Sequence, residues 1–184
     1  PLMGGGPSRV VSYTNVGIDS AHYSGRFQWL VFGNSPEHLV EVDVVGHEMT
    51  HMLKLTQAAH NPLNPTEYYS EQGALHESFA DIMGQLIEKS ATGSTDWIVG
   101  GHLPPSLGKS RNLANPLASV PPQPDVYLGS STAPYWISTT PPCDKTNDMC
   151  GVHRNASVQN KWFHLVAFGG KDTNSAGTAY DVDG

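Results

Sequence analysis

The chain has 184 residues, the length of one ordinary domain, and can bury roughly 70% of the surface that the unfolded chain exposes. Its net charge is -7, with only 10 Lys and Arg residues against 17 Asp and Glu residues. Nucleic acids and anionic membranes bind basic surfaces, so this balance argues against both as partners. No stretch reaches the roughly 20 apolar residues of a membrane span, and residues 1–6 lack the basic and apolar regions of a signal peptide. We interpret the chain as a mature or trimmed polypeptide.

Two stretches near the start have the composition of β-strands. Residues 9–13 and 27–32 are rich in Val, Tyr, Phe and Trp. We therefore expect a residual β-rich lobe over residues 1–34, with its strands forming an edge above the first helix. A helical core is expected over residues 35–184.

Three helices are predicted in this core. The first spans about residues 36–58, with Ser35 as its N-cap and Pro36 at the first helical position. The second spans about residues 71–90 and the third about residues 156–168. A long proline-rich loop separates the last two helices, and such a segment usually either carries function or is disordered.

The clearest chemical signal is the sequence His-Glu-Met-Thr-His at residues 47–51. Histidines four residues apart share one face of a helix, so His47 and His51 can bind one zinc ion, and Glu48 between them can act as a base. A motif of three fixed residues also arises by chance, and a helical histidine pair is often only a surface or core pair. A third ligand is needed to decide.

Glu77 is the candidate for that third ligand. It lies in a second helical pattern, with Asp81 one turn further on. If the two helices run antiparallel, Glu77 meets His47 and His51. Asp81 can then accept the outer ring proton of His47. Two histidines and a carboxylate leave a fourth metal position open for water, whereas structural zinc sites are usually closed by cysteine or histidine.

These motifs resemble the thermolysin-like metallopeptidases, whose zinc site pairs a histidine helix with a Glu-x-x-x-Asp helix. The likeness runs, with gaps, from about residue 10 to residue 170. It implies an α+β, zincin-type fold: a mainly helical catalytic core with a short β edge or hairpin before the zinc helix. It also implies one catalytic zinc ion and a secreted endopeptidase that hydrolyses peptide bonds next to hydrophobic residues. The alternative is a truncated, catalytically silent zinc-binding or interaction domain.

The resemblance also assigns roles around the metal. Glu48 would act as general base towards the zinc-bound water, with a solvated helix glutamate as the alternative. His153 and Tyr68 would stabilise the oxyanion, and Asp148 would orient His153 and favour its charged form. A loop histidine without this resemblance is more often a solvated surface group, and Tyr69 competes with Tyr68 for the second role.

Four residues are implied in substrate binding: Arg111, Ala21, Val44 and Val99. Arg111 would hold a substrate carbonyl with its planar fork of donors, and a surface arginine is the alternative. Val44 and Val99 would line a pocket for the apolar side chain that follows the scissile bond. Ser110 replaces a usual leucine and Ser20 a usual asparagine, which leaves the depth of the pocket and the anchoring of the peptide open.

An acidic group resembles a structural calcium site of the family. Its ligands would be Asp43, Glu88, Asp96 and the carbonyl oxygen of Ile98, because calcium favours several hard oxygens. Gly101 stands where some relatives carry a further glutamate, so one calcium ion rather than a pair is expected. A salt-linked or hydrated acidic cluster is the alternative.

Cys143 and Cys150 are the only cysteines. A disulfide between them would stabilise the fold by roughly 2.5 kcal/mol in the chain-entropy model, and an oxidised pair would imply secretion. Two free thiols are the alternative. Relatives usually have a larger β-rich lobe and further helices, so the chain is either a compact variant or one fragment of a cleaved precursor, with a second fragment as a further partner.

Two other positions are ambiguous. His76 replaces an asparagine that is common before the third ligand, and the sequence gives it no role. Asn155 fits a glycosylation acceptor pattern, but at the start of the third predicted helix it is expected to act as an N-cap.

Overall fold

The computed structural model describes residues 10–34, 38–58, 68–104, 107, 110–129 and 135–183. Three helices form its centre: α1 (Val42–Ala58), α2 (Ser70–Thr92) and α3 (Asp148–Phe168). The strands are β1 (Val11–Val16), β2 (Ala21–Ser24), β3 (Trp29–Gly33), β4 (Ile98–Val99), β5 (Arg111–Asn112), β6 (Gly170–Thr173) and β7 (Ala179–Val182). Within these ranges, no helix has both the length and the apolar character that a membrane span needs. This architecture confirms the expected mainly helical α+β fold with a short β edge before the first helix.

The N-terminal sheet packs on α1. Its central strand β3 pairs in parallel with β1 and antiparallel with β2. Leu30 and Phe32 lie on one face of β3, as alternate strand residues must, and form a buried cluster with Met52 of α1. Both predicted strands are present, with bounds shifted to those of β1 and β3, and the sheet lies against the first helix as expected.

The first helix begins later than its sequence predicts. The predicted cap and first turn at residues 35–37 lie outside the described residues, but residues 38–41 are not helical, so a start at residue 36 is wrong. The N–H of Leu39 donates to the carbonyl oxygen of Gly33 at 3.0 Å, and the Leu39 side chain is buried. This contact ties Leu39 to the end of β3, and α1 begins three residues later at Val42.

Helices α1 and α2 run antiparallel, as predicted. Asp43 of α1 contacts Gln85 of α2, and one turn later His47 contacts Asp81, one turn earlier in α2. The helices cross closely at Gly84, where an added Cβ would lie 2.5 Å from the carbonyl oxygen of Asp43. Only a residue without a side chain allows this approach, which brings the polar residues of the two helices into contact.

We therefore expect Gly84→Ala to lower the free energy of unfolding by about 1–3 kcal/mol, as overpacking does. This direction opposes helix propensity, which favours alanine over glycine by about 1 kcal/mol. Gly17→Ala is the control, because nothing lies within 4 Å of a Cβ added there. Urea unfolding of both variants measures the effect, and a Gly84→Ala chain as stable as the wild type would contradict the close crossing.

The larger side chains that α2 buries are mostly polar. Glu77, Asp81 and Gln85 are each 0% exposed, whereas the apolar side chains of Leu75 and Phe79 are 55% and 44% exposed. The apolar spacing thus predicted the helix correctly but did not indicate the face that it buries. That face carries the polar residues of the site described below.

The third helix differs from its prediction at its start. It begins at Asp148 rather than near residue 156, and residues 148–151 form a left-handed turn, with φ values from 52° to 85°. The Asn147 side chain accepts a hydrogen bond from the N–H of Cys150 and caps this turn. The expected disulfide between Cys143 and Cys150 is present and ties the turn to the preceding loop.

Asn155 lies inside α3 and does not cap it, so the expectation of an N-cap there is wrong. It is 3% exposed, and its amide pairs with both main-chain polar groups of Ile137, at 3.0 and 2.9 Å. The amide nitrogen is therefore engaged in the interior and is not presented for glycosylation.

Candidate active site

Three side chains from α1 and α2 converge on one point. Each of His47, His51 and Glu77 offers a ligand atom, and these atoms all lie within 4.8 Å of one another. The Nε2 atoms of the two histidines are 2.9 Å apart, and the Glu77 carboxylate oxygens lie 3.3 Å from His47 Nε2 and 3.1 Å from His51 Nε2. In the part of the chain that the structure describes, no other group of this kind is found.

This donor set fits a zinc ion. Zinc is bound in proteins by imidazole nitrogens and carboxylate oxygens, and catalytic sites use three such protein ligands. Glu77 is fully buried, and its Oε2 atom forms no hydrogen bond of good geometry, although it lies 3.3 Å from His47 Nε2. Two ring nitrogens that face each other next to such a carboxylate are satisfied together by a divalent cation. The fit rests on these three residues, which were the predicted zinc ligands.

The pKa shifts of His47 and Glu77 are also consistent with a site that binds a cation. Burial lowers the pKa of His47, but the carboxylates of Glu77 and Asp81 outweigh burial and raise that pKa to about 10. Burial raises the pKa of Glu77, but His153 and His47 outweigh it and hold that pKa well below its usual value. The metal-free site therefore holds a proton on His47, which a metal ion would displace on binding.

Asp81 contacts the ring nitrogen of His47 that does not face Glu77. Its fully buried carboxylate lies 2.8 Å from His47 Nδ1 and accepts from Arg111 Nε at 2.9 Å and from Asn160 Nδ2 at 2.9 Å. Burial raises the pKa of Asp81, but Arg111 and His47 outweigh it and hold that pKa below its usual value. The predicted contact of Asp81 with the outer ring nitrogen of His47 is present, while its role in orienting a metal ligand remains a prediction. Asn160 was missed, because a lone asparagine in a helix carries no motif.

Arg111 lies on β5, directly opposite Val99 of β4. Its side chain is 22% exposed, and its guanidinium group forms an ion pair with Asp81. Its Nη2 atom also lies 3.5 Å from His47 Nδ1. The structure thus places Arg111 beside the metal site and not on the open surface, while its contact with substrate remains a prediction.

Glu48 is buried beside the metal ligands and is held by the sheet. Its Oε2 atom accepts a hydrogen bond of 2.7 Å from the main-chain N–H of Tyr23 on β2. Sequence reasoning missed this contact, because a backbone donor leaves no trace in the identity of the residue. The bond fixes one carboxylate oxygen of Glu48 at the edge of the sheet.

Tyr68 and His153 lie on the exposed side of the metal position. The Tyr68 hydroxyl donates to Glu77 Oε1 and lies 3.4 Å from His153 Nε2. Burial and Glu77 raise the pKa of Tyr68, so the hydroxyl keeps its proton and remains a donor. Tyr69 is instead the N-cap residue of α2. Of the two tyrosines that the sequence left open, Tyr68 is the one that contacts Glu77 and His153, while its role towards substrate remains a prediction.

Asp148 holds His153 by both its ring and its main chain. Its Oδ1 atom lies 2.5 Å from His153 Nδ1, and its Oδ2 atom accepts from the N–H groups of His153 and Arg154 at 2.9 and 3.1 Å. The left-handed turn at residues 148–151 brings the carboxylate back towards the helix that follows. Burial lowers the pKa of His153, but Glu77 and Asp148 outweigh burial and raise it.

A cleft of about 460 Å³ runs past these groups. It is lined by the polar residues Glu48, Arg111 and His153 and by apolar residues that include Leu39, Val44, Val99 and Leu103. All four residues assigned to substrate binding, namely Ala21, Val44, Val99 and Arg111, border this cleft. Ser20 and Ser110, the two departures from the family pattern, also line it.

The ligand atoms of the expected calcium site do not converge on one point as those of His47, His51 and Glu77 do. Asp43 accepts hydrogen bonds from the N–H of Gly100 at 2.7 Å and from Gln85, and Asp96 accepts from the N–H of Ile98 at 2.8 Å. Glu88 is buried, and its Oε2 atom has no hydrogen-bond partner. Calcium at this cluster remains a prediction.

Known proteins match this chain over most of its length. The profile of the thermolysin metallopeptidase alpha-helical domain matches residues 65–182. A zinc metalloproteinase of Renibacterium salmoninarum is 33% identical over 132 residues, which cover 69% of this chain and 22% of that protein. An extracellular metalloprotease of Pectobacterium carotovorum subsp. carotovorum is 27% identical over 180 residues, covering 86% and 48%. Thermolysin of Bacillus caldolyticus is 32% identical over 132 residues, covering 70% and 20%.

Among solved structures, the precursor of protealysin, a metalloproteinase from Serratia proteamaculans, matches with a TM-score of 0.54 and 24% identity. The match covers 79% of this chain and 45% of that one, and it shows a shared fold. The chain thus spans between a fifth and a half of the length of these curated relatives. The matched helical domain contains Glu77 and extends through α3, so the chain belongs to the thermolysin family of metallopeptidases.

Proposed function

We propose that this chain forms the zinc-binding catalytic part of a secreted endopeptidase that cleaves protein and peptide substrates next to hydrophobic residues. The observation that carries this proposal is the convergence of His47, His51 and Glu77 beside a cleft that Glu48 and His153 also line. Family membership supports a metallopeptidase. A relative described as extracellular and the disulfide support secretion. Residues 1–34 would contribute the β edge and residues 35–184 the catalytic core.

The chemistry follows from where the side chains lie. When bound, zinc supplies a Lewis acid that polarises a carbonyl group and makes water more acidic. Glu48, fixed by the N–H of Tyr23, would take a proton from the attacking water and return it to the departing amine. His153 and Tyr68 would donate to the oxygen that gains negative charge. Asp148 would keep the Nδ1 proton of His153 in place, so that Nε2 faces the substrate.

Substrate would lie along the cleft. In the described sheet β2 is an edge strand, so a peptide can add to it through main-chain hydrogen bonds near Ala21. Val44 and Val99 would contact the apolar side chain that follows the scissile bond. Arg111 would donate to a substrate carbonyl on the same side while keeping its ion pair with Asp81.

Zinc removal is the first test. We expect a chelator to abolish cleavage of an unstructured protein and added zinc to restore it. We also expect zinc to be lost at pH 4, because protonated histidines cannot bind metal. Zinc content by atomic absorption and digestion by mass spectrometry measure the two effects. Bound zinc without any cleavage would favour the silent binding domain, and cleavage that survives metal removal would exclude the proposed mechanism.

We also propose one structural calcium ion held by Asp43, Glu88, Asp96 and the Ile98 carbonyl. The Oε2 atom of Glu88, which is buried and has no hydrogen-bond partner, supports this site. The pKa of Asp43 also supports it, because burial and Asp96 raise that pKa more than the main-chain hydrogen bonds to Asp43 lower it. Calcium at about 100 times its Kd should raise Tm by about 5–10 °C. Glu88→Gln should abolish the rise, while Glu71→Gln on the same helix should keep it. A Tm that does not respond to calcium would exclude the site.

A further inference from the structure

The zinc ligand His51 has a neighbour that the proposed mechanism does not use. His76 lies on α2 immediately before Glu77, and its Nδ1 atom is 3.2 Å from Nδ1 of His51. The two ring planes differ by 8°, and their centroids are 5.2 Å apart. The ring centroids are further apart than the two Nδ1 atoms by about twice the distance from a ring centroid to its own nitrogen. The nitrogens therefore point at each other edge to edge, which is the geometry of a hydrogen bond and not of face-to-face stacking.

The direction of this hydrogen bond follows from the metal site. His51 turns Nε2 towards Glu77 and His47, so a neutral His51 that binds metal through Nε2 carries its proton on Nδ1. That proton points at Nδ1 of His76, which must then be an unprotonated acceptor. His76 therefore carries its own ring proton on Nε2.

The ring of Tyr68 helps to hold this pair in one plane. It meets His76 edge-on with centroids 5.9 Å apart and an angle of 85°, and it meets His51 in the same way at 6.3 Å and 84°. Edge-to-face packing of this kind is favourable for aromatic rings. The oxyanion donor of the proposed mechanism and the partner of a zinc ligand thus form one aromatic cluster.

We propose that His76 is a positioning residue for zinc, which fixes the ring and the tautomer of His51 through an Nδ1–H···Nδ1 hydrogen bond. The two histidine ligands are then supported by different chemistry. Asp81 gives His47 a charged acceptor whose charge Arg111 balances, whereas His76 gives His51 a neutral acceptor. A neutral acceptor orients the ligand without adding a further negative charge next to Glu77. This inference rests on the proposed zinc site.

Zinc affinity, measured by competition with a chromophoric chelator, tests it. We expect His76→Leu to weaken zinc binding about 10–100-fold, as loss of a ligand's hydrogen-bond partner does. His76→Asn keeps an acceptor and should stay within a few-fold of the wild type, as should His38→Leu at an exposed histidine. Equal affinity of His76→Leu and wild type would overturn the proposal, and so would equal losses in His76→Leu and His76→Asn. A wild-type chain that binds no zinc would instead overturn the proposed function.

A spectroscopic measurement on the wild type needs no variant. In zinc-loaded protein with 15N-labelled histidine, we expect the proton of His51 to be on Nδ1, protected from solvent exchange and coupled to Nδ1 of His76. A zinc-loaded His51 with its proton on Nε2, or with a freely exchanging Nδ1 proton, would exclude the hydrogen bond.

Discussion

Replacing Glu48 with glutamine is expected to lower the rate of proteolysis about 10²–10⁴-fold, the usual contribution of a general base. Glutamine has nearly the same shape and can still accept the hydrogen bond from the N–H of Tyr23 through its carbonyl oxygen. It cannot, however, take a proton from water. Because Glu48 is not a metal ligand in this geometry, zinc content should stay at the wild-type level.

The measurement is kcat/KM on a peptide with a hydrophobic residue after the scissile bond, together with zinc content. Glu71→Gln is the control, because Glu71 pairs with Tyr127 away from the metal ligands and should leave both quantities unchanged. A Glu48→Gln chain that cleaves at the wild-type rate would remove Glu48 from the mechanism. A chain that loses zinc as well as activity would show that Glu48 supports the metal site.

The convergence of the predicted zinc ligands was predictable because helical periodicity fixes which residues share a face. His47 and His51 stand one turn apart on α1, and Glu77 and Asp81 stand one turn apart on α2. If these two faces meet in antiparallel helices, Glu77 comes close to both histidines and Asp81 close to His47. The structure brings these residues together as expected.

The contacts that the sequence did not predict depend on tertiary structure. The N–H of Tyr23 holds Glu48 through the backbone, which any residue provides. Asn160 reaches Asp81 from a third helix, and no spacing rule links the two. The start of α1 was misplaced because Leu39 is held by β3, and a buried contact of this kind overrides local cap signals.

The left-handed turn at the start of α3 has the same explanation. Non-glycine residues rarely adopt positive φ, because the left-handed conformation costs about 1–2 kcal/mol for each of them. Asp148, Met149 and Cys150 all do so here, and the sequence around them carries no signal strong enough to predict it. The turn is held by the Asn147 cap and places Asp148 against His153. The contacts of Asn147 and Asp148 therefore outweigh the local preference of these residues for negative φ.

The fully buried Asp81 carboxylate offers the largest expected effect on stability. Three donors point at it, from His47, Arg111 and Asn160. Asp81→Asn keeps the shape but replaces one acceptor oxygen with an NH₂ group, so at least one donor would face another donor. It also leaves the Arg111 charge without a partner. We expect the free energy of unfolding of the metal-free chain to fall by about 3–5 kcal/mol at neutral pH.

The pH dependence of this loss in stability tests whether the charge of Asp81 is its source. The folded-state pKa of Asp81 lies below its ordinary value, so its contribution is present above about pH 4 and is lost as the pH falls below that. The pKa of His47 is raised from 6.5 to about 10, so its part of the ion pair is present below pH 6.5 and fades as the pH rises towards 10. The difference between wild type and Asp81→Asn should therefore be largest between about pH 4 and pH 6.5.

Urea unfolding in the presence of a chelator, repeated from pH 3 to pH 9, measures this difference. Asp172→Asn at an exposed position of β6 is the matched control and should change the free energy of unfolding by less than about 0.5 kcal/mol at every pH. A difference for Asp81→Asn that stays constant over the whole range would mean that shape and not charge is lost. The carboxylate would then stabilise the fold through packing, and the charge of Asp81 would not explain the orientation of His47.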